Sequence, residues 1–334
     1  GIVPRPYKRS IWEAIRMDVV TPPEVITAAA WTPEQQRQEL WRRLAPGVKI
    51  MNEPSTFRPR STDVIVIGPP KCGLTWMTHI CHQIRTAGAE PDFDEQIPDV
   101  TTLLDLSIFL LNLDPNTMVQ PAEPRVFLSH YPYDRAPKGG RLIYIFREQK
   151  DAFFSWYNYL DTEIVLKGRV SMPVFVDIFM NTAHWTANNM RTMLEWWEHR
   201  HDDDVMFVFY DDLMDKRAEC VRRIAKFMGV VCDEETVARV VRTTSHAEMA
   251  KHHSKFDNHS IIAITAKSIG DIPPVEISGR VRKDGGRSGD GRKLPLDVQT
   301  RIDDEWRDIV TAKLGFRSVQ EMRDAWEKEA KRVH

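Results

Sequence analysis

The stretch VIVIGPPKCGLTW, from Val64 to Trp76, constrains the fold more than any other part of the chain. A β-branched apolar run, then Gly68, a loop carrying Lys71 and Gly73, and then Thr75 reads as a strand, a tight turn and a helix start. That is the outline of the phosphate-cradling pattern G-x-x-x-x-G-K-[ST]. Leu74 stands where the pattern keeps the lysine that reaches β- and γ-phosphates, and the loop's lysine sits three residues earlier. The loop suits a phosphate but lacks the equipment for triphosphate chemistry.

Further short apolar runs alternate with longer helical patterns: Asp63 to Gly68, Arg125 to His130, Arg141 to Phe146 and Val205 to Tyr210. Nearly continuous apolar strands separated by helices predict an α/β fold, a P-loop-type parallel sheet flanked by helices. The expected organisation is one large domain over 61–334, with residues 1–60 as an N-terminal helical extension packing on it. In that extension TPEQQRQELWRRL shows helical apolar spacing behind a Thr32 cap.

Composition narrows the function by exclusion. The chain has 334 residues, 42% of them apolar, and a formal charge of -2. It has no bulk basic field for nucleic acid, so an anion site must be local. The cysteines Cys72, Cys81, Cys220 and Cys232 are scattered without metal-ligand spacing, which fits a reducing compartment. The start GIVPRPYKRSIWEAIR carries no apolar signal segment, and LLDLSIFLLNL (103–113) is too short to span a bilayer and contains Asp105. The expected location is cytoplasmic, with no membrane partner.

In an open parallel sheet, ligands bind at the carboxyl ends of the strands. Here those ends carry the PPKCGLTW loop, Ser129-His130, Phe146-Arg147 and Tyr210-Asp211. Cys72 through Thr75 open a helix whose free N–H groups and positive dipole end favour a phosphate, with Lys71 alongside. Arg147 leaves its strand, Asp151 reads as a first-turn or capping residue, and Ser155 follows one turn into the helix, so a guanidinium and a hydroxyl could grip a second phosphate. His130 is the expected base, since an imidazole can take a hydroxyl proton at neutral pH. GRVRKDGGRSGDGRK (279–293) holds five of the sixteen glycines with six Arg or Lys, the composition of either a solvated loop or an anion-binding lid.

PPKCGLTW, RLIYIFREQKDAFFSWYNYL and RKDGGRSGDGRK, in that order and at those separations, resemble the three nucleotide-binding signatures of the sulfotransferases that use 3′-phosphoadenosine 5′-phosphosulfate (PAPS). The resemblance covers roughly residues 60 to 295. It implies transfer of a sulfonate to a hydroxyl or amine of a small-molecule acceptor, leaving 3′,5′-ADP, with no metal. By that resemblance Lys71, Cys72, Gly73, Leu74 and Thr75 surround the 5′-phosphate and Trp76 stacks on adenine. Arg147 and Ser155 hold the 3′-phosphate. Tyr210, Thr244, Ser245 and His246 line the base, and Arg282, Lys283 and Gly285 close over the 3′-phosphate. EPRVFLSHYP matches the stretch that supplies the catalytic histidine, His130, with Lys71 as its catalytic partner.

The chain departs from the family pattern in several places. Cys72 and Leu74 stand where serine and threonine are usual, Leu128 replaces a lysine often found two before the histidine, and His246 stands for an aromatic. Asp284 interrupts the Arg-Lys-Gly order, which makes Arg287 a competing ligand, and Gly291 replaces a tryptophan. The family's dimer motif is poorly matched in KLPLDVQTRI, so monomer and homodimer both stay open. Three other readings compete: a magnesium-dependent P-loop kinase of small molecules, for which only Asp211 follows a strand as a metal carboxylate; a non-catalytic nucleotide-binding module; and sulfonation followed by elimination. HAEMAKHHSKFDNH (246–259) is read as a polar loop rather than a metal cluster, and Trp185, Trp196 and Trp197 as core. The acceptor walls are expected near 93–113 and 153–185.

Overall fold

A computed structural model of the chain describes residues 31–52, 55–89, 97–105, 114–160, 170–256, 281 and 288–333. Five strands form a single parallel sheet in the order β2-β3-β1-β4-β5: β1 (Val64–Ile67), β2 (Thr102–Leu103), β3 (Val126–Ser129), β4 (Arg141–Phe146) and β5 (Val205–Phe209). β1 lies at the centre, with Ile67 level with Ser129 on one side and Tyr144 on the other. The phosphate-type loop therefore leaves the sheet between the ends of β3 and β4. The expected strands are all present, β4 as read and the other three shorter by a residue or two; Tyr210 opens the short helix Tyr210–Asp215 rather than closing β5.

Strand side chains alternate between two apolar clusters, because successive residues of a strand point to opposite faces. Ile65, Ile67, Phe127, Leu142, Tyr144, Phe146, Phe207 and Phe209 join one cluster, while Val64, Val66, Val126, Ile143, Ile145, Met206 and Val208 join the other. This explains why the runs read as uninterrupted apolar sequence. Helix α1 (Pro33–Asn52) sends Leu40 into the first cluster, alongside Phe57. It starts as expected at Thr32, whose Oγ1 accepts from Gln35 N at 3.3 Å while Gln35 Oε1 accepts from Thr32 N at 2.8 Å, a reciprocal capping box.

The remaining helices that bear on the site are α2 (Leu74–Arg85), α3 (Gln149–Tyr159), α4 (Trp185–Glu198), α5 (Arg217–Met228), α6 (Glu234–Thr243), α7 (Leu296–Trp306) and α8 (Val319–Val333). α2 supplies Met77, Ile80 and Ile84 to the second cluster, and α5 supplies Val221 and Ile224. α4 brings Trp196 and Trp197 to the first, with Trp196 stacked on Tyr144 at 5.0 Å; Trp185 packs at the margin of both. The tryptophans are core, as their helical spacing suggests. No helix among the described residues is long and apolar enough to cross a membrane.

At the amino end of the sheet, remote from the loop, Arg125 and Asp63 form a buried bidentate pair, Nη2 to Oδ2 at 2.5 Å and Nε to Oδ1 at 2.9 Å. The carboxylate also accepts from Arg60 N at 2.8 Å. The pair ties the starts of β1 and β3 in register. Removing one partner strands a charge in an apolar setting, so Arg125→Met is expected to cost about 3–5 kcal/mol, read as a lower midpoint in chemical denaturation. The double variant with Asp63→Leu should recover most of that loss. A midpoint for Arg125→Met equal to that of the unaltered protein would show the pair to be unimportant.

Candidate functional site

The loop after β1 turns twice through the left-handed region, at Lys71 (φ 68°) and at Gly73 (φ 100°). A left-handed lysine is an uncommon and costly conformation, the kind retained where backbone direction serves a site. At Gly73 a side chain is barred twice over, since a Cβ would also stand 2.6 Å from the Tyr210 ring. Gly73 is the N-cap of α2, with no side chain capping it and no acidic residue in the first turn. That leaves the helix start, with its partial positive charge, facing the end of the sheet.

Arg147, one residue past β4, is buried beside this loop. Its Nη1 donates to Lys71 O at 3.4 Å, its guanidinium lies 4.4 Å from the Tyr210 ring centroid, and its Nη2 is 4.0 Å from Asp151 Oδ2. Its Nε has no hydrogen-bond partner among the described residues. A buried guanidinium held by a long hydrogen bond, a ring face and a distant carboxylate is a cation whose donors suit an anionic ligand. Tyr210 in turn meets Trp76 edge-on at 5.5 Å, and the Trp76 indole N–H donates to Thr244 O at 2.8 Å. Lys71, Gly73, Arg147, Tyr210, Trp76 and Thr244 thus form one continuous set of contacts. The Lys71 ammonium reaches 4.3 Å from the Tyr159 ring, at the end of α3.

Other expected residues are placed less simply. Ser155 lies midway along α3, partly exposed. Thr244 uses its hydroxyl to donate to Val240 O, and Ser245 caps the short helix His246–Lys251 by accepting from Glu248 N, so both hydroxyls have local backbone partners. His246 is exposed at the start of that helix. The described part of the expected polar loop from 246 is therefore helical, followed by a single turn over His253–Lys255. Residues 257–259 lie outside the described residues, as do Arg282, Lys283, Gly285 and Arg287, and most of the expected acceptor wall at 93–113.

Asp151 takes its expected place in the first turn of α3 without capping it. Glu148 caps α3, its side chain accepting from Lys150 N. Asp151 instead accepts from Gly289 N at 2.7 Å and Gly291 N at 2.6 Å. Gly291 sits so close that a Cβ would be 2.6 Å from the Lys150 carbonyl carbon, which accounts for glycine at this position. The carboxylate beside Arg147 thereby anchors the trailing end of the glycine-rich segment.

Two features went unread in the sequence. Arg217, at the start of α5, lies over the Trp76 ring at 5.0 Å. Asp105, two residues beyond β2, is buried against His130: its Oδ2 accepts from His130 N at 2.7 Å and lies 2.8 Å from His130 Nδ1, and its Oδ1 accepts from Ser129 Oγ at 2.9 Å. In the sequence Asp105 is only a charge interrupting an apolar stretch. A lone acid in such a run needs a buried partner, and the strand-end histidine was the one available. Leu128 packs with the α2-side cluster.

A family model for the sulfotransferase domain matches residues 61–284. Sulfotransferase 6B1 of Danio rerio is 27% identical over 234 residues, 66% of this chain and 77% of that relative. The amine sulfotransferase of Oryctolagus cuniculus is 25% identical over 215 residues, 63% of this chain and 70% of that relative. In fold, the chain is similar to mouse sulfotransferase SULT7A1 complexed with PAP, with a TM-score of 0.57 at 20% identity over 78% of this chain and 88% of that one. It is also similar to retinol dehydratase in complex with androsterone and PAP, with a TM-score of 0.59 at 18% identity over 80% and 85% of the two chains. The chain belongs to the sulfotransferase family. It is a PAPS-dependent enzyme of that class.

Cys72 stands in the loop fully buried, and burial pushes its thiol up to about 12, only partly offset by Arg147. Burial likewise pushes Cys81 and Cys220 up to about 12 and raises Cys232 as well, but Cys232 alone of the four is partly exposed to reagent. A thiol with a raised pKa stays protonated and unreactive at pH 8. Iodoacetamide on the native protein at pH 8 is therefore expected to label Cys232 first, with Cys72, Cys81 and Cys220 modified only after unfolding, as read by peptide mapping. Early labelling of Cys72 would mean that the loop opens in the native state.

Proposed function

We propose that this enzyme moves the sulfonate of PAPS to a hydroxyl or amine of a small molecule, with His130 as general base and Lys71 stabilising the departing phosphate. The observation that carries the site assignment is the buried Arg147 guanidinium, its Nε without a partner, next to an uncapped helix start and a left-handed Lys71-Cys72-Gly73 turn. One anionic group fits the loop amides and Lys71; a second fits Arg147 and Ser155. Trp76 and Tyr210 offer ring surface for adenine, with Thr244, Ser245 and His246 along its edge, and Arg282, Lys283, Gly285 and Arg287 belong to the glycine-rich closure.

In this reading His130 takes the acceptor proton as the acceptor atom bonds to sulfur, while the bond from sulfur to the phosphate oxygen breaks and 3′,5′-ADP leaves. Lys71 and the loop N–H groups meet the charge that grows on that phosphate. The same reading has residues 61–334 as one catalytic domain with 1–60 packed on it, acting in the cytoplasm as a monomer or homodimer. A panel of phenols, alkanols and amines incubated with PAPS, read by mass for sulfonate gain, identifies the acceptor. A dehydrated product in place of a sulfated one would indicate elimination after transfer.

The second phosphate site is tested by binding. The protein is expected to hold 3′,5′-ADP at least about tenfold more tightly than 5′-AMP, because a charged hydrogen-bonded contact is worth about 1.5–3 kcal/mol. Arg147→Ala should erase most of the difference in calorimetry, and equal affinities for the two nucleotides in the unaltered protein would remove the assignment.

The base is tested by separating chemistry from binding. His130→Ala is expected to lower turnover by about 10² to 10⁴ while leaving 3′,5′-ADP affinity nearly unchanged. Lys71→Ala should impair both, since its ammonium serves ground state and transition state alike. A stable His130→Ala protein turning over at the unaltered rate would sink the mechanism.

A further inference from the structure

We infer that Asp105 is the positioning residue of the proton transfer: it fixes His130 in the tautomer that leaves Nε2 free to accept the acceptor's proton, and it stabilises the imidazolium that results. The inference deepens the proposed function and rests on His130 being the base.

The geometry allows little else. The Asp105 carboxylate is 2% exposed, placed by the chain turning in just beyond the edge strand β2. Its Oδ2 receives the backbone N–H of His130 at 2.7 Å and lies 2.8 Å from Nδ1 of the same residue. Its Oδ1 receives the Ser129 hydroxyl at 2.9 Å, and Ser129 Oγ in turn accepts from Tyr131 N at 3.2 Å. A carboxylate is an acceptor only, so the contact at Nδ1 requires the ring proton to sit on Nδ1. Nε2 then carries the lone pair, on a side chain that keeps 22% of its surface exposed at the carboxyl edge of the sheet. The ring is tied at one nitrogen to a group that is itself tied at both oxygens, which limits rotation about χ2.

The arrangement also bears on charge. When Nε2 binds a proton, the new positive charge lies one ring away from a buried carboxylate, an arrangement that stabilises imidazolium and orients imidazole in other acyl- and metal-site histidines. Leu128, two residues before His130, supplies no cation there, so the carboxylate acts on His130 without a neighbouring competitor from β3. Asp105 lies outside the β2–β3 ladder, and its contacts are with the residues that end β3, Ser129 and His130.

The first test uses the unaltered protein. With ¹⁵N-labelled histidine, long-range proton–nitrogen correlation spectra at neutral pH, with His130 signals assigned by their loss in His130→Ala, should show the proton on Nδ1. A proton on Nε2, or an average of the two tautomers, would overturn the inference. The second test uses Asp105→Asn, whose amide oxygen can still accept from His130 N and Nδ1 but which carries no negative charge to stabilise the imidazolium. With the phenol, alkanol or amine that gains sulfonate in the panel above, its kcat is expected to fall by about 10² to 10⁴, while acceptor KM and 3′,5′-ADP affinity stay within about twofold. Asp105→Glu should restore part of the lost kcat, and adding Asp105→Asn to His130→Ala should lower kcat no further. An inactive His130→Ala protein beside an Asp105→Asn protein of unaltered kcat would refute the role of Asp105 and leave His130 as base. A fully active His130→Ala protein would refute the base assignment itself. If Asp105→Asn does not fold, the tautomer measured in the unaltered protein decides.

Discussion

The hydrogen bonding of β1 to β3 on one side and to β4 on the other is the constraint from which the site follows. Because both pairings are parallel, the carboxyl ends of these strands lie along one edge, and the residues just beyond them become neighbours although they are up to about 80 positions apart in the chain. The loop at Lys71, His130 and Arg147 are brought to that edge by backbone geometry alone. Gly68 N donating to Ser129 O at 3.4 Å extends the ladder one step past Ile67 and links the start of the loop to the residue before His130.

The two edges of the sheet have been given opposite treatment. At the amino end the charged groups are fully matched, with Arg125 and Asp63 closing on each other in two hydrogen bonds. At the carboxyl end matching is incomplete: Arg147 is buried with an orphan Nε, and the α2 start carries no side-chain cap. Buried polar groups ordinarily find partners, and the incompletely matched Arg147 beside an uncapped helix start is what the proposed anion site rests on. The packing supports that contrast, since both faces of the sheet are closed by apolar clusters that hold the strand ends in place.

Much of the scaffold was legible because its signals are local. Apolar runs of strand length, the Thr32 capping box, the glycine at 73 and the core tryptophans each express a preference that a few consecutive residues impose. What was not legible concerns mostly partners distant in sequence. Asp151 read as a first-turn or capping residue and sits in the first turn, but nothing local announces that its oxygens accept from Gly289 and Gly291 nearly 140 residues later. The local contacts of Thr244, which donates back to Val240 O, and of Ser245, which caps a helix, also escaped the reading, because the polar composition of HAEMAK concealed that helix. Asp105 read as an interruption in an apolar stretch and proved to be the neighbour of His130.

The sequence by itself determined four of the five strands, the helix start at Thr32, the strand-loop-helix turn around Gly73 and the family, because periodicity, glycine placement and motif spacing act over short range. The tertiary structure alone decided which polar groups meet: Asp105 with His130, Arg217 over Trp76, Arg147 between Lys71 O and the Tyr210 ring. The reason is physical. A buried charge or ring nitrogen is satisfied by whatever the fold brings within about 3 Å, and that choice depends on strand order and register, which no stretch of local sequence specifies.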